Sequence, residues 1–144
     1  MVNALAVRAV FCAVLSASIL AACHEDGPVV PSAITKFVMV SVTDPAAKRI
    51  FEAAAEPPQD DAGWRSVADG ASETADSARR LIRAVRGGNK ADWIGQANAL
   101  IAASDEAATA AAAHDSTALA VAGDKLYATC ESCHQRFKPE SPKP

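Results

Sequence analysis

The sequence predicts an all-α protein built as an antiparallel bundle of four helices. Of its 144 residues 50% are hydrophobic but only 5% are aromatic, so most of the apolar content is alanine. Alanine is the strongest helix former and a weak strand former. Four stretches repeat apolar residues at helical spacing, and the connections between them are short, which favours an up-and-down bundle.

Residues 1–22 are predicted to be a cleaved export signal rather than part of the fold. Arg8 supplies a positive charge ahead of an apolar run that is too short to span a bilayer comfortably. The run ends in Leu20-Ala21-Ala22-Cys23, which resembles the lipobox of bacterial lipoproteins. The resemblance implies that Cys23 is lipidated and, because His24 rather than Asp follows it, that the protein is anchored to the outer membrane in the periplasm. The alternative is an ordinary secretory signal cut near Ala21 or Ala22, with Cys23 merely nearby.

Residues 23–31 are predicted to be a tether, and residues 32–144 the folded domain. The tether contains glycine and two prolines and shows no helical period. The first helix is expected from Ser32 to about Ala55. Its apolar positions are Ile34, Val38, Val42, Ile50 and Ala53. Asp44-Pro45 interrupts this stretch, which predicts a kink, or a break with Asp44 capping a second segment.

Three further helices are predicted over residues 63–86, 92–113 and 117–137. Asp60 or Asp61 can cap the first of them, Gly87-Gly88 can end it, and Asp115 or Ser116 can cap the last. The predicted buried stripes are Trp64, Val67, Ala71, Ala75, Ala78, Ile82 and Val85 on the second helix, Trp93, Ala97, Leu100, Ser104, Ala108 and Ala111 on the third, and Leu119, Ala122, Leu126, Cys130, Cys133, His134 and Phe137 on the fourth.

The segment Cys130-Glu131-Ser132-Cys133-His134 is a C-x-x-C-H sequence, the attachment signature of c-type haem. On a helix its three functional side chains share one face, so both thiols can bond to haem vinyl groups while the imidazole binds the iron axially. A thioredoxin-like redox pair would open a helix after a strand. A zinc site lacks a second cysteine pair, and a plain disulfide leaves His134 without a role. The motif therefore predicts one covalent haem c.

The position of this motif, at the end of the fourth helix of a small exported bundle, resembles class II cytochromes c, the cytochrome c′ group. Tyr127 before the motif and Phe137 after it match the pattern of that family. Asp44-Pro45-Ala46-Ala47, with Trp64 and Trp93, is similar to one subgroup. The resemblance implies a four-helix bundle with one covalent haem, often dimeric and often binding small gases.

Met39 is the candidate for the sixth iron ligand. It is the only methionine after the signal peptide, and it lies on the first helix, where the resemblance implies the distal residue to be. The alternative is that Met39 fills the core. Phe37, Val38 and Val42 would then cover an open site.

Three other polar features carry weaker expectations. Arg136 is placed to pair with a haem propionate, the alternative being a solvated side chain. His24 and His114 are expected to be solvated. The four arginines that end the second helix suit the negative end of its dipole, with partner docking as the lesser interpretation. They are Arg79, Arg80, Arg83 and Arg86.

Electron transfer to redox partner proteins of the periplasm or membrane is the leading functional hypothesis. The alternative is binding or sensing of a small gas, NO or CO, at an open distal side. A net charge of −3 without a basic run does not suggest nucleic-acid binding. No constellation of acid and base residues suggests catalytic turnover, so the chain is not expected to be an enzyme.

Overall fold

The computed structural model describes Val29, residues 31–88 and residues 90–138, and every regular element within these ranges is helical. The predicted signal peptide, Cys23, His24 and nearly all of the predicted tether lie outside the described residues. The elements are α1 (Ala33–Val38), a π-helical turn (Met39–Thr43), α2 (Asp44–Ala55), α3 (Asp61–Ala84), α4 (Lys90–Ala112) and α5 (Ser116–Phe137). None of the helices in the described ranges is both long and apolar enough to cross a membrane.

Four rods form the bundle, because α1, the π-helical turn and α2 follow one another without a break. This continuous helix is called rod 1, and α3, α4 and α5 are the other three. Neighbouring rods are antiparallel, because the residue numbers of contacting pairs rise along one rod as they fall along the other. Thr43 contacts Ser77 whereas Arg49 pairs with Glu73, and Gln96 contacts Ser132 whereas Glu106 pairs with Lys125. The predicted all-α, four-helix architecture is confirmed.

Side-chain caps fix where the helices begin. Ser32 caps α1 in a capping box with Thr35. The carboxylate of Asp60 accepts the Gly63 N–H at 2.8 Å, and that of Asp115 accepts the Ala118 N–H at 2.9 Å. The predicted starts of α3 and α5 are therefore confirmed to within a residue or two. After α3 the chain turns through Gly87 and Gly88, both at positive φ.

The region before Pro45 is neither sharply broken nor capped, and the prediction that Asp44 caps a second segment is wrong. Asp44 has helical dihedral angles, and its N–H donates to the Met39 carbonyl five residues back. The buried Thr43 hydroxyl closes the same wide turn against the Val38 carbonyl at 3.3 Å. Proline brings no N–H to the helical ladder, and the π register absorbs that defect without ending the helix.

The buried core divides into two clusters along the bundle. The larger one is mostly alanine around Ile50, Trp64, Leu100 and Leu126. The second cluster is formed by Val38, Leu81, Val85 and Trp93, with Val29, Met39 and Phe137 partly buried against it. The indole N–H of Trp93 donates to the Leu81 carbonyl at 3.1 Å, which ties α4 to α3 inside this second cluster.

Several positions of the predicted stripes on rod 1, α3 and α4 are less buried than predicted. Ile34 is 63% exposed, because α1 turns Thr35 and Val38 inward and no rod covers its outer side. On α3 the buried stripe moves by one residue near the end, so that Leu81 is buried and Ile82 only half-buried. Ala108 on α4 is also half-buried. The remaining positions of the α3 and α4 stripes are buried as predicted.

Candidate functional site

The C-x-x-C-H motif occupies the last two turns of α5. The helix continues to Phe137, and the Lys138 N–H still donates to the His134 carbonyl, so the motif keeps helical spacing throughout. Cys130 and Cys133 are half-buried free thiols, and His134 is more exposed than either. The prediction that this stretch lies on a buried face holds only up to Leu126. Beyond it α5 borders a pocket rather than a closed core.

This pocket brings the motif together with Met39. It has a volume of about 30 Å³ and is bordered by residues of all four rods. The lining residues are Met39 from the π-helical turn, Leu81 from α3, Trp93, Gln96, Ala97 and Leu100 from α4, and Thr129, Cys130, Cys133 and His134 from α5. Met39 reaches it because the π-helical turn begins at this residue and passes over the end of the second cluster.

The apolar walls of the pocket differ from those the sequence suggested. Phe37 is 65% exposed, Val38 is buried in the second cluster, and Val42 is half-buried without bordering the pocket. Leu81, Ala97 and Leu100 take that place. The helical period marked Ala97 and Leu100 as buried, but Leu81 and Gln96 could be found only from the way α3 and α4 meet.

The thiols of the motif are held in their protonated form. Burial raises the pKa of the Cys130 thiol above its ordinary value. The negative charge that Cys133 has when it is ionised and the Asp44 carboxylate raise it further. Burial also raises the pKa of Cys133. Partial burial and the Lys138 ammonium lower the pKa of His134, while the Asp44 carboxylate opposes this. At neutral pH the motif therefore presents two thiols and a neutral imidazole.

Polar contacts fasten the end of α5 to α4. The Gln96 side-chain amide donates to the Ser132 hydroxyl at 3.2 Å, between the two cysteines of the motif. Arg136 forms an ion pair with Asp92 and lies over the Phe137 ring, 5.9 Å from its centroid. The guanidinium predicted to meet a propionate is thus engaged with α4 in this structure.

His114 lies at the opposite end of the bundle from the motif. Its side chain is exposed, as expected, but its ring stacks on Trp64 with the centroids 5.1 Å apart and the planes 8° from parallel. The residue has a φ of 52° in the turn between α4 and α5. It contributes to that turn and is distant from the pocket.

A covalently attached haem fits this site by the chemistry of its side chains. Two thiols and an imidazole lie on one helical face, a thioether lies across from them on another rod, and the walls are apolar or aromatic. The volume of about 30 Å³ holds about one water molecule. Hydrogen bonds join rod 1 to α3, α3 to α4 and α4 to α5 at this level, so a group of haem size would require the rods to move apart.

Comparison of the chain with family models, with curated proteins and with solved structures finds no match. The interpretation of the site therefore depends on its own residues.

Proposed function

We propose that the chain is an exported monohaem c-type cytochrome that transfers electrons through its haem iron. The observation that supports this most directly is that the C-x-x-C-H motif and Met39 line one apolar pocket. Bound haem supplies a reversible one-electron iron couple. Two axial ligands from the protein, an imidazole and a thioether, are the combination that electron-transfer cytochromes use to keep a raised reduction potential.

Each side chain of the pocket has a distinct task in this proposal. The thiols of Cys130 and Cys133 would add to the two haem vinyl groups as thioethers, and the imidazole of His134 would bind the iron. Met39 of rod 1 would supply a sulfur ligand to the iron. Leu81 and Trp93 exclude water, and a low dielectric around the iron favours the form with less net charge.

Binding of a small gas, NO or CO, is the second candidate, and one observation favours it. Met39 packs as a partly buried member of the second cluster, beside Val38 and Trp93, as a methionine that only fills a core would. If its sulfur stays there, the distal side of the iron is open. The walls of that open side would be Leu81 and Leu100 rather than the exposed Phe37.

Replacing Met39 by leucine separates the two candidates. If the sulfur binds iron, the ferric wild type is low-spin and shows the weak near-infrared sulfur-to-iron band. Met39→Leu then loses this band, becomes five-coordinate, binds CO readily and has a lower reduction potential. The exchange nearly conserves volume, so it costs less than about 1.5 kcal/mol of stability. Optical spectra of the oxidised and reduced proteins provide the measurement.

Leu100→Ile is the matched control, because it repacks the same pocket and leaves the sulfur in place. It should keep the low-spin spectrum. A high-spin wild type whose spectrum does not change in Met39→Leu would contradict ligation by Met39. Gas binding would then be the better assignment of function.

We further propose that the protein is anchored in the periplasm through a lipid on Cys23, facing the outer membrane. The short apolar run ending in Leu20-Ala21-Ala22-Cys23 supports this, by its likeness to a lipobox. Intact mass of the exported protein should show acyl groups on an N-terminal Cys23. A water-soluble protein that begins at any other residue would refute the lipid anchor while leaving export intact.

A further inference from the structure

The two ends of the bundle carry opposite charge. The pocket end is defined here as residues 29–44, 76–88, 90–98 and 130–138 of the described chain, and the far end as residues 45–75 and 99–129. The boundary follows the contacts Thr43–Ser77 and Gln96–Ser132, which join rods at the same level.

The pocket end has eight basic and four acidic side chains, whereas the far end has four basic and ten acidic ones. The basic residues of the pocket end are Lys36, Arg79, Arg80, Arg83, Arg86, Lys90, Arg136 and Lys138, and its acidic residues are Asp44, Asp76, Asp92 and Glu131. Arg79 pairs with Asp76 and Arg136 with Asp92, but Arg80 and Arg83 form no ion pair within the described residues. The pocket end therefore presents an excess of uncompensated positive charge.

Large apolar side chains are exposed at the same end. Ile34 is 63% exposed, Phe37 65% and Val40 64%. They are called the apolar triad below. Lys36 lies among them in the sequence. This part of rod 1 is at the level of the second cluster, because Val38 packs there. Three exposed apolar side chains within seven positions of one rod form an apolar surface, which is typical of an interaction site.

The first described residue also lies at this end. Val29 packs against the second cluster. Six residue steps separate Cys23 from Val29 and span at most about 20 Å when extended. A lipid on Cys23, as in the proposed function, would hold the pocket end within that distance of a bilayer.

We propose that the pocket end docks on the surface of an anionic lipid bilayer. The apolar triad enters the boundary between headgroups and acyl chains, and Arg80, Arg83 and Lys36 meet the phosphates. The acidic far end is repelled and points away from the membrane. An acidic protein could meet the same arginines, but it would not account for the apolar triad at the same end as Val29.

Vesicle binding of the unlipidated chain tests this proposal separately from the anchor and from the haem chemistry. The protein from residue 23 onward, which contains every described residue, carries Cys23→Ser and is exported with a secretory signal that is completely removed. The exported protein, as purified and with whatever haem it carries, is titrated with vesicles of phosphatidylcholine alone and of phosphatidylcholine mixed with phosphatidylglycerol. We expect binding to the mixed vesicles that weakens as salt is added.

Two matched pairs of variants locate the contact. Arg83→Glu and Arg65→Glu are both exposed positions of α3, one at each end, and change the charge equally. Arg83→Glu should lower the partition coefficient by about tenfold or more, while Arg65→Glu should not lower it. Val40→Ser should weaken binding, and Val121→Ser, an exposed valine of the far end, should not.

Equal binding of Arg83→Glu and wild type, or no binding to either kind of vesicle, would overturn the proposal. Binding to polyglutamate together with no binding to vesicles would overturn it in favour of an acidic protein partner. None of these outcomes depends on whether the iron transfers electrons or binds a gas, because the readout is sedimentation with vesicles.

Discussion

The carboxylate of Asp44 lies close enough to the motif to influence its titration. It adds to the effect of burial on the pKa of Cys130 and opposes the lowering of the pKa of His134. Nothing in the spacing of the sequence connects residue 44 with residues 130–134. The sequence predicted a cap here because Asp precedes Pro45, whereas the π-helical turn places Asp44 inside the helix, where its charge acts on α5.

In the haem-free chain the thiols of Cys130 and Cys133 should therefore react slowly with alkylating reagents. Because burial raises the pKa of Cys130 and Cys133, both stay protonated at pH 7 and should react more slowly with iodoacetamide than the same thiols in urea. The rate should still be rising with pH beyond the ordinary thiol pKa of about 8.5, where the rate of the unfolded thiols levels off. Asp44→Asn should speed the reaction of Cys130, and Asp124→Asn, an exposed change earlier on α5, should not. Mass spectrometry of alkylated peptides at several pH values measures this.

Equal rates in the folded and urea-unfolded chains would show that the thiols are not buried as described. The sign is fixed by the cause, since both burial and a nearby negative charge disfavour the thiolate.

At the scale of elements, the helices were predictable and the junction at Pro45 was not. Local signals predicted the helix boundaries to within a few residues. These signals are the apolar period, the caps at Asp60 and Asp115, and the Gly87-Gly88 stop. Whether proline breaks, kinks or widens a helix depends on what the neighbouring rod offers. Here the Thr43 hydroxyl donates a hydrogen bond to the Ser77 hydroxyl at 2.9 Å, and this bond holds the π-helical turn in place.

The close approach of α2 and α3 should be sensitive to one added methyl group. A Cβ on Gly70 would lie 2.8 Å from the Ala46 carbonyl oxygen, so Gly70→Ala pushes the two helices apart and should cost about 1–3 kcal/mol. Gly95 lies within α4 with nothing within 4 Å of such a Cβ. Gly95→Ala should therefore raise stability by about 0.5–1 kcal/mol. Urea unfolding of both variants measures the difference.

A Gly70→Ala variant as stable as the wild type would contradict this contact. The opposite signs expected at the two glycines control for helix propensity, which favours alanine at both.

At the scale of the whole molecule, antiparallel topology creates the features that single helices do not show. It brings the start of rod 1, the end of α3 and the end of α5 to one end of the bundle. The pocket, the apolar triad and the basic excess all result from this. The sequence predicted the number of helices from local patterns, and the C-x-x-C-H motif on which the proposed haem attachment rests is also a local pattern. The pocket partners Leu81, Gln96 and Asp44, and the ion pair of Arg136 with Asp92, depend on which rods become neighbours.

A haem attached as proposed would have to be accommodated in a core that is mostly alanine. Alanine buries little area per side chain, but the pocket end is packed by the larger side chains of the second cluster. The second cluster, with Trp93 and Leu81, should rearrange most when haem is attached.

Retention of haem by the denatured protein tests the central proposal most directly. The protein is produced in cells that attach haem to another c-type cytochrome, run on a denaturing gel and stained for peroxidase activity. Haem linked through Cys130 and Cys133 should stay with the band, and it should be lost or loosely held in Cys130→Ala and in Cys133→Ala. Ser132→Ala leaves C-x-x-C-H intact and should stain like the wild type. A wild-type band without haem, from cells in which the other cytochrome stains, would contradict the proposal.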